Sequence, residues 1–261
     1  MLRITYVTVT YNAAKVLQRT LDSIYQQDYP HIVHLIIDGA STDGTLQLVN
    51  DYVERSNAAG NGHSIQVSSE PDKGIYDAMN KGLRSIEGDY VCFLNSGDFL
   101  PTPDTVSRLV AVVLNGNRPQ CAPAVLYGDT DIIDGEGRFL RHRRLSPPEN
   151  LSWKSFRQGM LVCHQAFYAR TDFAIATPYD THYRYSADVD WCIRVMKAAD
   201  KENIPLLNLH MVVANYTEEG QTTLHHRESL WERYHVMERH YGRIRTFLLH
   251  CWFAVRALTN Y

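Results

Sequence analysis

The chain has 261 residues, 44% hydrophobic and 21% charged, with a formal net charge of -3. That length suits one large α/β domain or two small ones, and the charge balance argues against general nucleic-acid binding. Cys92, Cys121, Cys163, Cys192 and Cys251 are scattered with no CxxC pair. Their pattern speaks against a disulfide framework or zinc ribbon and for a reducing compartment.

The first hundred residues alternate strand and helix. Residues 4–9 read as a strand and lack the charged head, long apolar core and cleavage site of a signal peptide. Asn12 is placed to cap a helix with Ala14, Leu17, Leu21 and Ile24 at helical spacing. Residues 34–37 form a second strand, and Ser41 and Thr42 precede a helix carrying Leu46, Val49 and Val53. A short strand at 65–67 leads to a third helix with Ile75, Met79, Leu83 and Ile86, stopped by Gly88. Residues 90–94 are an apolar run of buried-strand length. Such repeats predict a parallel sheet covered on both faces, with the turns after the strands gathered on one edge.

The second half is less regular. Thr102-Pro103 opens a helix with Val106, Leu109, Val110 and Val113. Residues 125–127 read as a strand followed by the acidic turn Gly128-Asp129-Thr130-Asp131. Residues 138–145 are basic and extended, and Pro147-Pro148 breaks the chain. A strand at 163–169, a helix at 188–199, a last strand at 205–216 and a polar helix at about 222–240 complete the pattern. With no internal repeat or low-complexity linker, one compact unit is expected rather than two domains. No stretch approaches the roughly 18–20 apolar residues of a membrane span, and a cytoplasmic protein is expected.

The strand at 90–94 stops at Asn95-Ser96-Gly97-Asp98. Ligands bind at this edge of open α/β sheets; Asp98 either starts a turn or holds a divalent cation against a diphosphate. Asp38, in Asp38-Gly39-Ala40-Ser41-Thr42-Asp43-Gly44-Thr45, either belongs to a turn and cap or accepts from the N3–H of a uracil ring. The segment Ser69-Glu70-Pro71-Asp72-Lys73-Gly74, running into the helix with Asn80 and Lys81, is dense in polar groups. Lys73 or Lys81 could meet a phosphate and Asp72 a ribose, or the density is a solvated helix face.

Taken in order, Val9-Thr10-Tyr11-Asn12, the strand and loop from Leu35 through Asp38 to Thr45, the Gly74 to Gly82 helix and Asn95-Ser96-Gly97-Asp98 resemble the family 2 glycosyltransferases of the GT-A fold, of the bacterial polysaccharide-biosynthesis type. The resemblance is clear over about residues 3–100, weaker to about 215, and slight beyond. It implies a Rossmann-like α/β fold with a mostly parallel central sheet flanked by helices, as a single catalytic domain over 1–220 with a nucleotide-sugar-binding half at 1–100 and an acceptor-binding half at 101–220, followed by a helical extension at 221–261. It also implies an inverting hexosyl transfer from a nucleotide donor, UDP-sugar favoured, to a saccharide or lipid-linked saccharide. The other classes weighed are an inert nucleotide-sugar-binding module and a nucleotidyltransferase; residues 8–14 lack the Gly-rich basic loop that the latter would want.

Carried onto single positions, the resemblance puts Asp38 on the base and Thr10, Tyr11, Asn12, Asp72, Lys73 and Asn80 around the nucleotide. It puts Asp98 on a Mn²⁺ or Mg²⁺ ion, and Asn95, Gly97, His164 and Gln165 at the sugar and acceptor. The chain departs from the family at Asn95, where a first carboxylate often stands, and at Gly39, which replaces a frequent second aspartate. The metal is therefore expected to bind weakly without nucleotide. Inverting transfer needs a carboxylate base. Asp188, in Tyr185-Ser186-Ala187-Asp188-Val189-Asp190-Trp191, resembles the last residue of the family's Glu-Asp motif. A helix N-terminus there would keep it ionised. Asp190, Asp129 and Asp131 are its rivals, the latter two expected at the cleft rim. His210, His225 and His226 are further metal or phosphate candidates. The arginines and aromatics of 243–256 read either as a packed helix or as a peripheral membrane contact.

Overall fold

The computed structural model describes residues 1–115, 122–217 and 225–259. The expected boundary at 220/221, the start of the helix expected at about 222, and Cys121 lie outside them. Strands β1 (Ile4–Thr10), β2 (Ile32–Asp38), β3 (Ser64–Ser69) and β4 (Tyr90–Phe93) alternate with helices α1 (Ala14–Tyr25), α2 (Thr45–Ala59) and α3 (Ile75–Arg84). After α4 (Thr105–Asn115) come β5 (Val125–Ile133), β6 (Phe139–His142), β7 (Phe167–Arg170), α5 (Thr171–Ala176), α6 (Ala187–Lys201) and β8 (Leu206–Thr217). Two helices, α7 (His226–Tyr241) and α8 (Arg243–Thr259), follow.

One sheet runs in the order β3-β2-β1-β4-β7-β5-β6, with β8 paired to β5. The pairs β3–β2, β2–β1 and β1–β4 are parallel, while β4–β7 and β7–β5 are antiparallel. Every residue of β1, β2 and β4 is buried, as near-continuous apolar runs between two helical layers must be. The register sets Thr10 beside Asp38 and Asp38 beside Ser69. The ends of β1, β2 and β3 thus form a single polar row on the ligand-facing edge. The main hydrophobic cluster runs from β1 through β7 and α6 to Val236, Met237 and Tyr241 of α7, so the C-terminal helices close over the same core.

Several local readings change. Asn12 does not cap α1: it sits at φ 48, and Ala13 holds the cap position without a side-chain bond. The free amides of this turn are met from across the cleft, Ala13 N–H by Thr45 Oγ1 at 2.9 Å and Ala14 N–H by Asp43 Oδ2 at 3.2 Å. Helix α3 buries Tyr76, Ala78, Met79, Gly82 and Leu83 and ends at Arg84, four residues before Gly88. Residues 128–131 are not an acidic turn. Asp129 and Asp131 lie inside β5, which β8 and β6 flank and thereby extend. Residues His164–Ala166 form a 3₁₀ turn rather than the start of a strand, which frees the side chains of His164 and Gln165 to point at two different partners.

Candidate active site

The edge at the ends of β1, β2 and β3 is tied by bonds both within its loops and between them. Asp38 is fully buried; its Oδ2 accepts from Ser41 N–H at 2.9 Å and Ser69 Oγ at 2.7 Å, and its Oδ1 from Ser41 Oγ at 2.5 Å. It therefore ties β2, its following loop and β3 together, with one lone-pair direction left for a ligand. Asn12 accepts from Thr42 N–H at 2.9 Å and its own amide donates to Ser41 Oγ at 2.8 Å, which fixes the loops after β1 and β2 to one another. Tyr11 is exposed and stands over Gly39. A Cβ at Gly39 would lie 2.5 Å from Asp72 Oδ2 and 3.3 Å from the Tyr11 ring. The glycine thus makes room for Asp72, which brings a carboxylate against position 39 from another loop.

Of the lysines, Lys81 is engaged with Glu70 at 3.0 Å and the Pro71 carbonyl at 2.7 Å, and Lys73 is exposed. Both ends of the Asn80 amide are spent on Tyr179, donating to its carbonyl at 2.9 Å and accepting from its N–H at 2.7 Å. Asn80 therefore ties α3 to the segment leading into α6.

The loop after β4 is pinned from below. Gly97, at φ 100, takes the left-handed turn that a residue with a Cβ would resist. Its N–H donates to Thr20 Oγ1 at 2.9 Å, and that hydroxyl donates to the Asp98 carbonyl at 2.7 Å. Asp98 points inward, only 7% exposed. Its Oδ2 accepts from Gln165 Nε2 at 2.8 Å and its Oδ1 from Thr217 N–H at 3.4 Å. Burial pushes this carboxyl up to about 6 against the opposing effects of Gln165 and His164. An ionised Asp98 is thus under-compensated, a state that a nearby cation would relieve.

Asp188 stands in the first turn of α6. Its Oδ1 accepts from the Tyr76 hydroxyl at 3.2 Å, and its Oδ2 faces His164 Nδ1 at 3.2 Å. The other ring nitrogen, His164 Nε2, lies 3.0 Å from Asn95 Nδ2. Since the amide nitrogen is a donor, Nε2 accepts and Nδ1 carries the proton toward Asp188, a tautomer assigned from this network. A continuous chain therefore runs from Asn95 through His164 to Asp188, while the adjacent Gln165 holds Asp98. Burial raises the Asp188 carboxyl, but the bond from His164 and the positive charge of Arg233 outweigh burial and leave it below the ordinary carboxylate value. His164 and Arg233, more than the helix terminus, keep Asp188 ionised. Behind it, Tyr76, Tyr179 and Trp191 stack with centroids 5.7 and 4.9 Å apart.

Two buried oxygens here lack partners among the described residues: Thr10 Oγ1 at the end of β1 and Asn95 Oδ1 in the loop after β4. Orphaned buried polar atoms at a strand edge are what a bound ligand would satisfy. Among the described residues no three Asp, Glu, His or Cys side chains converge as a metal site, so no resident all-protein cage exists. Asp98 with the orphaned Asn95 oxygen fits instead a hard cation whose remaining oxygen ligands come from a diphosphate.

The other candidates lie apart from this network. Asp190 is buried between Arg194 and His240 at 2.6 and 2.8 Å. Asp131 pairs with His142 at 2.7 Å and, with Asp129, lines a separate cavity. His210 faces Glu149 at 3.5 Å, and His225 stacks on Tyr185; the side chain of His226 is outside the described set. The sequence reading gave no role to Tyr76, Ser69, Thr20, Thr217 or Arg233. Ser69 and Tyr76 had a signal, lying inside the polar segment already singled out.

A parallel β3-β2-β1-β4 half followed by a mixed half, in which β4–β7, β7–β5 and β5–β6 are antiparallel and β5–β8 parallel, is the architecture of the GT-A fold. The chain matches the family model "Glycosyl transferase family 2" over residues 5–175. It is 34% identical over 214 residues to a "PGL/p-HBAD biosynthesis glycosyltransferase" of Mycobacterium bovis, covering 81% of this chain and 75% of that protein. It is 26% identical to the "Amylovoran biosynthesis glycosyltransferase AmsB" of Erwinia amylovora over 79% of this chain and 69% of that one. The chain belongs to glycosyltransferase family 2 and is a glycosyltransferase.

Among solved structures, it superposes on S. aureus TarS 1-349 in complex with UDP-GlcNAc with a TM-score of 0.69 at 19% identity, over 90% of this chain and 64% of that one. It superposes on the mannosyltransferase PcManGT of Pyrobaculum calidifontis in complex with GDP-Man and Mn2+ with a TM-score of 0.62 at 18% identity, over 91% and 64%. These likenesses establish the fold; the chain spans under two-thirds of both solved chains.

Proposed function

We propose that this glycosyltransferase transfers a sugar with inversion from a UDP-sugar to a hydroxyl of a saccharide or lipid-linked saccharide acceptor in cell-surface polysaccharide or glycolipid assembly. The observation that carries it is the Asn95–His164–Asp188 chain, which joins the loop after β4 to a half-buried carboxylate held ionised. Asp188 takes the proton of the acceptor hydroxyl as its oxygen bonds to the anomeric carbon. The bond from that carbon to the diphosphate oxygen breaks, and the electron pair leaves with the nucleotide. Tyr11, Gly39 and Asp72 form the nucleoside floor, with Asp38 behind them. The Thr10 hydroxyl and Lys73 serve the diphosphate, and Asn95, Gly97, His164 and Gln165 line the sugar and acceptor side.

A divalent cation, Mn²⁺ or Mg²⁺, would be held by Asp98 and Asn95 Oδ1 and would supply charge neutralisation to the departing diphosphate. The UDP preference draws on the UDP-GlcNAc complex of the structural neighbour. The class of product draws on the names of the mycobacterial and Erwinia relatives. Titrating UDP by calorimetry with and without Mn²⁺, in wild type and Asp98→Asn, tests the donor site: binding unchanged by metal and by the substitution overturns the Asp98 role. Turnover of a UDP-, GDP- and dTDP-sugar panel by wild type and Asp188→Ala tests the base. Full activity in the variant removes Asp188 from it, and no turnover of any donor by wild type favours an inert nucleotide-sugar-binding module.

The setting proposed is the cytoplasmic membrane surface. Cys92, Cys163, Cys192 and Cys251 are free thiols, and among the described residues no helix is long and apolar enough to cross a membrane. Helix α8 packs Thr246, Leu249 and Phe253 toward the domain and exposes Ile244, Phe247, Leu248 and Trp252 on its other side. Lys154, Arg157 and Arg245 border a cavity of about 400 Å³ beside that stripe. Apolar residues flanked by cations suit an anionic lipid surface. Sedimentation with phosphatidylglycerol vesicles, lost in a Phe247→Ser, Leu248→Ser, Trp252→Ser variant, would support this contact. Equal recovery with both proteins, or a dimer of this chain that the variant abolishes, would overturn it.

A further inference from the structure

Helix α7 lies beyond the matched family region and beyond the strands that build the sheet, yet it grips the segment that delivers Asp188. The Glu232 carboxylate accepts three successive backbone N–H groups: Arg184 at 2.8 Å on Oε1, and Tyr185 at 2.7 Å and Ser186 at 3.1 Å on Oε2. These are the residues leading directly into α6, where Ser186 holds the cap position. Ser186 makes no cap bond of its own; its hydroxyl turns away and donates to the Ser229 carbonyl of α7 at 3.2 Å. The N–H groups just ahead of α6, rather than those of its first turn, are thus gathered by a side chain 46 residues distant. Charge-assisted bonds to a carboxylate are about twice as strong as neutral ones, and a negative charge is favourable at a helix start.

Two further bonds from α7 flank this clamp. Arg239 Nη1 meets Asp180 at 2.8 Å, and His240 Nε2 meets the fully buried Asp190 at 2.8 Å. Segment 180–190 is therefore held at three points on one side, while Asp188 projects from the other toward Tyr76 and His164. Within the loop, Asp180 accepts from the N–H groups of His182 and Tyr183 at 3.1 and 3.2 Å, which shapes its first turn, whereas residues 184–186, next to α6, are gathered by Glu232. A carboxylate base must sit within hydrogen-bond reach of the proton it removes, and small misplacements cost large factors in rate.

We infer that α7 is part of the catalytic apparatus and that Glu232 is a positioning residue, acting through the backbone of residues 184–186 to set Asp188 against the acceptor. The inference rests on the reading of Asp188 as the base. Next to it, the half-buried Arg233 adds positive charge to the Asp188 surroundings, and its Nε has no partner among the described residues.

The test compares wild type, Glu232→Gln, Glu232→Ala, Asp188→Ala and Asp188→Ala/Glu232→Gln in the full chain. Glu232→Gln keeps one acceptor oxygen and the side-chain volume. Amide hydrogen exchange should speed at least about tenfold at residues 184–188 in Glu232→Gln, with little change in β1 to β4. UDP affinity should stay within about twofold. Release of UDP from UDP-GlcNAc, or from whichever donor of a UDP-, GDP- and dTDP-sugar panel the wild type cleaves, should lose about 10- to 100-fold in kcat with donor KM unchanged. Glu232→Ala should lose more. The double variant should be no slower than Asp188→Ala alone, because a residue that works through Asp188 has nothing left to position. If Glu232→Gln keeps wild-type kcat and local exchange, or if its loss multiplies onto that of Asp188→Ala, the positioning role is overturned while the base stands. If Asp188→Ala itself keeps full activity, the base reading fails first and takes this inference with it.

Discussion

The two halves of the site are held by different means. On the donor edge, Asp38 bonds Ser41 three residues away and Asp43 bonds Thr45 two away, so each loop carries much of its own order. Around Asp188 almost nothing is local. Its partners are His164 and Tyr76, 24 and 112 residues distant, and its backbone is clamped by Glu232. Asp98 belongs to both regions, sitting in a donor-edge loop but held by Gln165, 67 residues on. A loop ordered largely by its own residues tolerates change elsewhere, whereas a carboxylate ordered by remote elements, as the proposed base is, depends on the whole fold.

Substitutions can break that contrast, and the largest effect is expected at the base. Asp188→Asn should lower kcat by about 10²–10⁴-fold, the range of general-base catalysis, while UDP affinity by calorimetry stays near wild type. Weakened UDP binding of similar size would show that the halves are not separable.

Asp98→Asn should act oppositely on function and stability. Its folded value of about 6 lies above the ordinary carboxylate value of 3.8, so the native state retains a proton that the unfolded chain has lost as pH rises from about 4 to 6. Stability therefore falls through that window, by about 1–3 kcal/mol. The amide variant should lose metal-dependent donor binding yet melt higher than wild type at pH 7.5, with the gain absent near pH 4. A lower melting temperature at both pH values would count against a strained, ligand-ready carboxylate.

His164→Ala should shift the acid limb of the kcat/KM profile upward and lower kcat by roughly 10- to 100-fold. Burial raises Asp188 and His164 is the main opposing influence; without it the carboxyl rises and a higher pH is needed to ionise it. An unmoved limb would mean that some other group sets the ionisation.

The smallest effect is expected on the donor side. Gly39→Ala should displace Asp72, since the new Cβ would stand 2.5 Å from its Oδ2, raising donor KM by about tenfold with kcat retained. A fall in kcat instead would link the nucleoside floor to the catalytic half.

The donor edge was legible in the chain because parallel strands buried on both faces are written as continuous apolar runs that stop at polar residues, as at Asp38 and Asp98. Helical spacing located α1, α2, α3 and α6 in the same way. The chain misled where a local rule met a remote partner. Asn12 had the composition of a cap but bonds Thr42 across the cleft. Asn80 looked like a nucleotide contact, and its amide is spent on Tyr179. Residues 128–131 had the composition of a turn and are strand because β6 and β8 flank them.

By itself, the order of apolar runs and polar stops determined the parallel half-sheet and the strand ends at Asp38 and Asp98, while Asp188 was singled out by the family resemblance. Periodicity and strand termination are properties of contiguous residues. Only the tertiary structure decided how those carboxylates are held: Asp38 a loop fastener, Asp98 an under-compensated group held by Gln165, Asp188 a half-buried group bonded by His164 on a segment gripped by Glu232. Ionisation and orientation depend on which side chains meet in space, and here they meet across separations of up to 112 residues.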